Sequence, residues 1–375
     1  MSWRLRHSVC RHSPLLAILL SGGIAIESLA QPAPRLAIAP QPELRTMGRP
    51  GAELLEVRAG RLLDDGSIVV ADAGDTHLHY FNARGAAVRD FGRNGTGPGE
   101  IESINNLLRC GDTLVAIEAS GQASLFTNAG QFVRRFRFAA HAGGMPVRRT
   151  ACNARMQFVH TGWVAPQDMK PVRSRGSVPL WMTSSVPQVE RTLGMIPGDE
   201  SVLIMVNGQP RGIRPQPMGY EQLLAFGSTG IWTLDTEQNT AIRWSARGDS
   251  VGAVRIEARR APPSARDIDA AMREEGDRNV TAALKASYAS FDFSKPLPIA
   301  RALLLDDSER LWIELFGRAD QSVRTWQVHD TRARRTDVVT MPLAWTLLDV
   351  RRGSMLVRVR NADDSEEVRV YRLSR

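Results

Sequence analysis

Residues 62–100 constrain the fold more than any other stretch, because they spell out four short β-strands in succession, each with its own turn. Leu62-Leu63 runs into Asp64-Asp65-Gly66, two acids and a glycine suited to a tight turn. Ile68-Val69-Val70-Ala71-Asp72 follows as an apolar, largely β-branched run that ends on a carboxylate. Tyr80-Phe81 then sets an aromatic four residues before Gly85, and a glycine there supplies the permissive backbone that a hairpin turn needs. Val88-Arg89-Asp90-Phe91 is the fourth strand, and the glycine-rich run 92–100 links it to the next unit.

The unit repeats. With 68–72 as the second-strand template, matching runs lie at 114–118, 156–160, 231–235, 311–314 and 355–359. The aromatic-then-glycine spacing recurs as Phe126 to Gly130 and Trp244 to Gly248. A repeat of about this length, four strands per unit, is the signature of a β-propeller, and six units predict an all-β, six-bladed ring. The last unit stops after Val370-Tyr371-Arg372, which matches a third strand, so its fourth strand is missing. Leu44-Arg45-Thr46-Met47-Gly48-Arg49 mirrors the fourth strand 88–93 of the first full blade. The N-terminal strand is therefore expected to complete the last blade and to close the ring, which removes exposed strand edges.

Two insertions break the pattern. Residues 162–219 are rich in Pro and Gly, and are expected to hold an elongated third blade and a long connection to the fourth. Residues 262–298 read as helical: Ser264 is a capping residue, and Ile268, Ala271, Met272, then Val280, Ala283, Leu284 and Tyr288 fall near helical spacing. Lys295-Pro296 and Pro298 end that segment before blade five.

The front of the chain carries Arg4, Arg6 and Arg11, then an apolar run from Leu15 to Ile26 and small residues at Ser28-Leu29-Ala30. That is the form of a secretory signal peptide over 1–30, leaving 31–375 as the propeller in the periplasm or outside the cell. Its three arginines and one glutamate take the net charge from +8 to +6 when they are removed. No later run is apolar enough to span a bilayer, and the mature chain is expected to be a monomer. The remaining basic residues are scattered as pairs, such as Arg134-Arg135 and Arg259-Arg260, where a nucleic-acid groove would concentrate them among stacking aromatics. Nucleic acid is not an expected partner. Cys110 and Cys152 sit before equivalent first turns in neighbouring blades, and either bridge the two or stay as separate thiols; spacing leaves both open.

The D-G turn, the strand ending on Asp72, the aromatic before a G turn, and the link F-G-x-x-G-x-G-P-G-E at 91–100 resemble an NHL repeat. The mature chain resembles the secreted bacterial six-bladed propellers of the NHL/TolB-like class, most clearly in the first two blades and least in the third. That resemblance implies a fold and an exported location. It implies little chemistry, since propellers of this kind serve as binding modules, lyases and lactonases alike.

Second-strand ends point to the face where propellers commonly bind ligands, and there stand Asp72, Glu118, His160 and Asp235. Three carboxylates and a histidine suit a hard-metal or acid/base cluster, although each also suits the capping of its own turn. No cofactor is evident, with calcium or zinc left open. Asn105 and Asn106 have no matching Glu and Asp for a lactonase-type site, and His77 and His79 read as solvated residues of an outer strand. Residues 92–100 lack the Lys-Ser/Thr of a phosphate loop. The basic inserts, with Lys170, Arg173, Arg175, Arg211 and Arg214, are expected to rim the upper face and to favour an anionic glycan, small molecule or protein patch. A binding or interaction scaffold is the expected function, and a metal-dependent propeller enzyme of lyase or lactonase type is the alternative.

Overall fold

The computed structural model describes residues 36–46, 53–141, 146–164, 173–184, 191–206, 209–276, 291–361 and 363–374. Six antiparallel sheets stand side by side as the blades of a propeller. Blade one comprises Val57–Leu62, Ile68–Asp72, His77–Phe81 and Ala87–Phe91, inner strand first. The inner strands of the following blades are Asn106–Cys110, Val147–Cys152, Gln222–Phe226, Ala300–Leu305 and Trp345–Arg351. These strands neighbour one another around the axis. The expected six-bladed, all-β ring is the observed architecture.

Closure runs through the predicted strand. Leu44 and Arg45 pair with Val370 and Arg369, and Ala37 and Ile38 pair with Ser374 and Leu373. The last sheet, Trp345–Arg351, Ser354–Arg360 and Glu366–Ser374, thus takes its outer strand from the front of the described chain. Met47, Gly48 and Arg49, which the sequence adds to that strand, lie outside the described residues, as does the 1–30 segment. The core is divided into layers between blades: Leu44, Val57, Phe81, Leu356 and Val370 join blades six and one, and Trp312, Trp326, Met355 and Tyr371 join five and six. Burial of such apolar surface, at roughly 25 cal/mol per Å², is what holds blade to blade.

The recurrent glycine has a second reason beyond its turn. Gly85 has φ +82°, and a Cβ there would stand 2.0 Å from the carbonyl oxygen of Arg45 on the closing strand. Gly130 and Gly248 occupy the same place in blades two and four, against Phe91 and Leu193 of the preceding blades' outer strands. The glycine marks where each third-strand turn tucks under its neighbour. In blade five the first-turn glycine is replaced by Glu309, at φ +62°, whose carboxylate accepts hydrogen bonds from Ser228 N at 2.7 Å and Thr229 N at 3.2 Å in blade four.

Cys110 and Cys152 close the inner strands of blades two and three, and are joined by a disulfide with Cα atoms 5.7 Å apart. The poor repeat in blade three reflects long connections around its third strand, Ser177–Ser184, and its outer strand Arg191–Pro197. An extra hairpin, Ser201–Val206 with Gln209–Pro215, follows that blade. The helix begins at Ala265 as predicted and runs to Gly276. Ser264 caps it: its hydroxyl accepts from Asp267 N at 3.3 Å, while the Asp267 carboxylate accepts from Ser264 N at 2.8 Å. The predicted continuation over Val280, Ala283, Leu284 and Tyr288 lies outside the described residues.

Gly85→Ala should cost about 2 kcal/mol or more in urea unfolding, because positive φ and a backbone clash add. Gly121→Ala, at φ +79° with nothing within 4 Å of its Cβ, should cost only the smaller conformational part. Equal losses at the two sites would remove the close-approach explanation.

Candidate functional site

The upper face is the one reached by the ends of second strands and the starts of inner strands, and each predicted residue on it is engaged locally. The Asp72 carboxylate accepts hydrogen bonds from the backbone N–H groups of Leu55 (2.6 Å), Glu56 (2.8 Å) and Gly74 (2.8 Å). It is buried, and it pins the start of its own inner strand. Glu118 is ion-paired to Arg135 at 2.6 Å and accepts from Glu102 N at 3.2 Å. Asp235 receives the guanidinium fork of Arg175 at 2.7 and 3.2 Å, and Glu314 plays the same part for Arg324 at 2.6 Å in blade five.

His160 is buried between two threonines, Nδ1 2.9 Å from Thr150 Oγ1 and Nε2 2.9 Å from Thr183 Oγ1, with Phe138 and Trp181 against its ring. Burial pushes its pKa down to about 3, so the ring is neutral, one nitrogen donating and the other accepting. Among the described residues, these four side chains do not come together as a cluster. The grouping that does form is Asp72, Asp75 and His79, with ligand atoms within 4.8 Å of one another. The Asp72 oxygens in it are occupied by the three backbone donors. His79 is not the solvated residue that the strand pattern suggests: it is 4% exposed and wedged between Asp90 (2.9 Å) and Asp75 (3.1 Å). Its third-strand position faces the sheet's own outer strand, which the alternation alone does not reveal. His77 is half-buried against Asp75.

The basic insert also behaves differently from expectation. Arg173 is buried and ion-paired to Glu200, and donates to Asp292 O at 3.0 Å. Arg175 serves Asp235, Glu237 at 2.9 Å and the carbonyl of Gly198 at 2.6 Å. Neither rims a free basic surface. Both, with Arg260 and Lys295, stand within 5.0–5.9 Å of the Tyr220 ring centroid. Lys295 also reaches Glu200 at 3.0 Å. Burial pushes the Glu200 carboxyl upward, but Arg173, Tyr220 N and Lys295 outweigh it and hold the net shift downward. Arg214 lies on the extra hairpin, while Lys170 and the Arg211 side chain lie outside the described residues.

These contacts fasten a cap onto the upper face. Val202 and Ile204 of the hairpin pack on Phe291, with Met272 of the helix and Phe293 beside them. Asp267 ties the helix start to blade five, through Ala319 N at 2.7 Å and Arg318 at 2.9 Å. Between cap and blades lies a cleft of about 450 Å³. Helix residues Ala271 and Glu274 form one wall, Met218 and Glu221 another, and Arg301 and Phe316 the blade-five side. Glu221 is held by Arg149 at 2.6 Å and Arg324 by Glu314. Arg301 is exposed, its guanidinium carbon 5.4 Å from the Phe316 ring centroid, and it forms no ion pair among the described residues. Sequence reasoning missed Arg301 because it opens an inner strand with no local motif. The signal available was its place opposite the end of the second strand, where Ala300 pairs with Leu315.

No protein-family model matches the chain, and no curated protein sequence matches it. Solved structures do. A protein of Bacteroides fragilis named as an exported protein is 13% identical, with 91% of this chain and 95% of that one covered, at a TM-score of 0.53. A member of the DUF4221 family from Bacteroides vulgatus is 8% identical, with 91% and 99% covered, at 0.55. At such identities the likeness is one of fold.

The buried histidines set a pH dependence. His160 titrates in the folded state at about 3 and His329 at about 4, both below 6.5, so the unfolded chain binds more protons between those values. Their stabilising contribution is full above pH 6.5 and is lost as pH falls toward 4 and 3, by up to about 1.4 kcal/mol per pH unit for each. Urea unfolding at pH 7 and pH 5 should show the loss, and His160→Gln should reduce its slope. An unchanged slope would mean that His160 does not titrate as its burial requires.

Proposed function

We propose that this propeller is an exported binding protein that receives an anionic group of a glycan, small molecule or protein in the cleft beneath its cap. The observation that carries the reading is Arg301. Arg173, Arg175, Lys295 and Arg324 are paired with carboxylates of the fold, whereas Arg301 stands exposed over Phe316 at the wall of a cleft of about 450 Å³, with no ion pair among the described residues. A guanidinium backed by an aromatic ring, free to donate, is suited to a carboxylate or sulfate on a ligand. The metal-dependent alternative gains no such support, since Asp72, Glu118, His160 and Asp235 are each hydrogen-bonded or ion-paired within the fold.

Export rests on the residues of the 1–30 segment, and the described residues contain no helix long and apolar enough to cross a membrane. The connector at 91–100 supports placing the chain with NHL/TolB-like propellers. In it Glu100 folds back to accept from Gly97 N at 2.8 Å and Arg93 Nε at 2.9 Å.

The test uses the processed protein, whose N-terminus by mass spectrometry should lie just after Ala30. Titration with an oligogalacturonate and with a polyglutamate peptide should show salt-dependent binding of at least one. Arg301→Glu should weaken that binding roughly tenfold or more, equivalent to about 1.4 kcal/mol. Binding that ignores Arg301→Glu, or a stoichiometric metal accompanied by no anion binding, would overturn the reading.

A further inference from the structure

The opposite end of the axis carries a second charged arrangement, which the upper face does not explain. Arg61 lies on the inner strand of blade one, Arg109 on that of blade two, and Asp349 and Arg351 on that of blade six. These three strands are neighbours around the ring. Register sets their heights. Arg61 pairs with Val69, the second pair up from the lower turn, and Asp349 pairs with Leu356, one pair higher in its hairpin. Arg109 pairs with Leu114, likewise the second pair up from its turn, level with Arg61. At the level of Arg61, blades four and five present Ala225 and Leu304, so the charge gathers on one side of the axis.

The carboxylates facing this group are already occupied. Asp349 accepts from Leu62 N at 2.9 Å and Val350 N at 3.1 Å. Asp64 is taken by Arg351, whose Nε lies 2.8 Å away. Among the described residues Arg61 donates to carbonyls, those of Gly60 at 2.7 Å and Leu348 at 2.8 Å. Arg109 forms no hydrogen bond or ion pair among the described residues, and its Nε is fully buried with no acceptor. A buried guanidinium N–H left unmade is costly, more so than for a neutral group. Desolvation lowers the pKa of both arginines, and Asp349 acts against it; for Arg109 the nearby Arg351 and Arg61 push further down while Asp64 pushes up.

We propose that the lower mouth of the axial channel, between blades six, one and two, binds a tetrahedral oxyanion of the phosphate or sulfate class, bridged by Arg61 and Arg109. Such an anion supplies the counter-charge that the half-buried Arg109 guanidinium lacks among the described residues, offsets the repulsion between the two guanidinium groups, and meets donors from adjacent blades whose spacing the backbone already sets. This site is distinct from the cleft under the cap and does not depend on it. It also differs from a phosphate loop in that side chains, not a glycine-rich backbone, provide the donors.

The experiment is calorimetric titration of the processed protein in chloride buffer with inorganic phosphate and, separately, with sulfate and acetate. Phosphate and sulfate should bind the Arg61–Arg109 site and raise Tm, and acetate should compete poorly there. Arg109→Gln should weaken phosphate binding at least about tenfold, the loss of one charge-assisted hydrogen bond. Arg109→Lys, which keeps the charge without the fork, should fall in between and decides the matter if Arg109→Gln does not fold. Phosphate binding that depends on Arg109 should persist in an Arg301→Gln background, which separates this site from the upper cleft. Absence of heat and of a Tm shift with wild-type protein, or wild-type affinity in both Arg109 variants, would overturn the proposal.

Discussion

The pairing of Leu44 and Arg45 with Val370 and Arg369 is the contact on which the rest of the ring depends. Without it the last sheet ends on an open third strand, with its carbonyls unpaired and its edge exposed. The carbonyls of Val368, Val370 and Arg372 accept from Thr46, Glu43 and Ala39. Around this seam blade six is also laced to blade one: Glu366 accepts from Val57 N at 2.7 Å, and Arg358 donates to Val57 O at 3.0 Å. Position 85 requires glycine twice over, for its positive φ and because this strand passes directly against it. A ring has no weak end once closed, so inter-blade packing acts on all six sheets together.

Charge on the upper face follows the same economy of position. Carboxylates at second-strand ends fasten either the start of an inner strand, as Asp72 does, or an arginine, as Glu118, Asp235 and Glu314 do. Breaking such a buried pair from one side is strongly destabilising, by about 3–5 kcal/mol. Each of these carboxylates is hydrogen-bonded or ion-paired within the fold. Arg301 above and Arg109 below form no ion pair among the described residues.

The blades were legible because their period is local. The run 68–72, the aromatic of the third strand and the following glycine recur, and each maps to the strand or turn that its pattern implies. The helix start at Ser264 was legible for the same reason: its capping box lies within a few residues. The cap was not. Arg173 and Glu200 are 27 residues apart, and Arg175 and Asp235 are 60 apart, so no sequence period records those pairs. A basic run such as that around Arg173 therefore reads as solvated charge until the fold brings carboxylates to it. The hairpin 201–215 was hidden likewise, being an insertion whose apolar face packs on the equally irregular segment around Phe291.

Amide hydrogen exchange at the closing strand tests the account most directly. The N–H groups of Ala39, Glu43 and Thr46 donate across the seam to the last strand. If closure holds the ring, Glu43 and Thr46 should exchange only through global unfolding, as slowly as central amides such as Val70 and Leu356. Exchange of Glu43 and Thr46 at the rate of an open terminus, with Val70 and Leu356 still protected, would show that the propeller stands without its N-terminal strand.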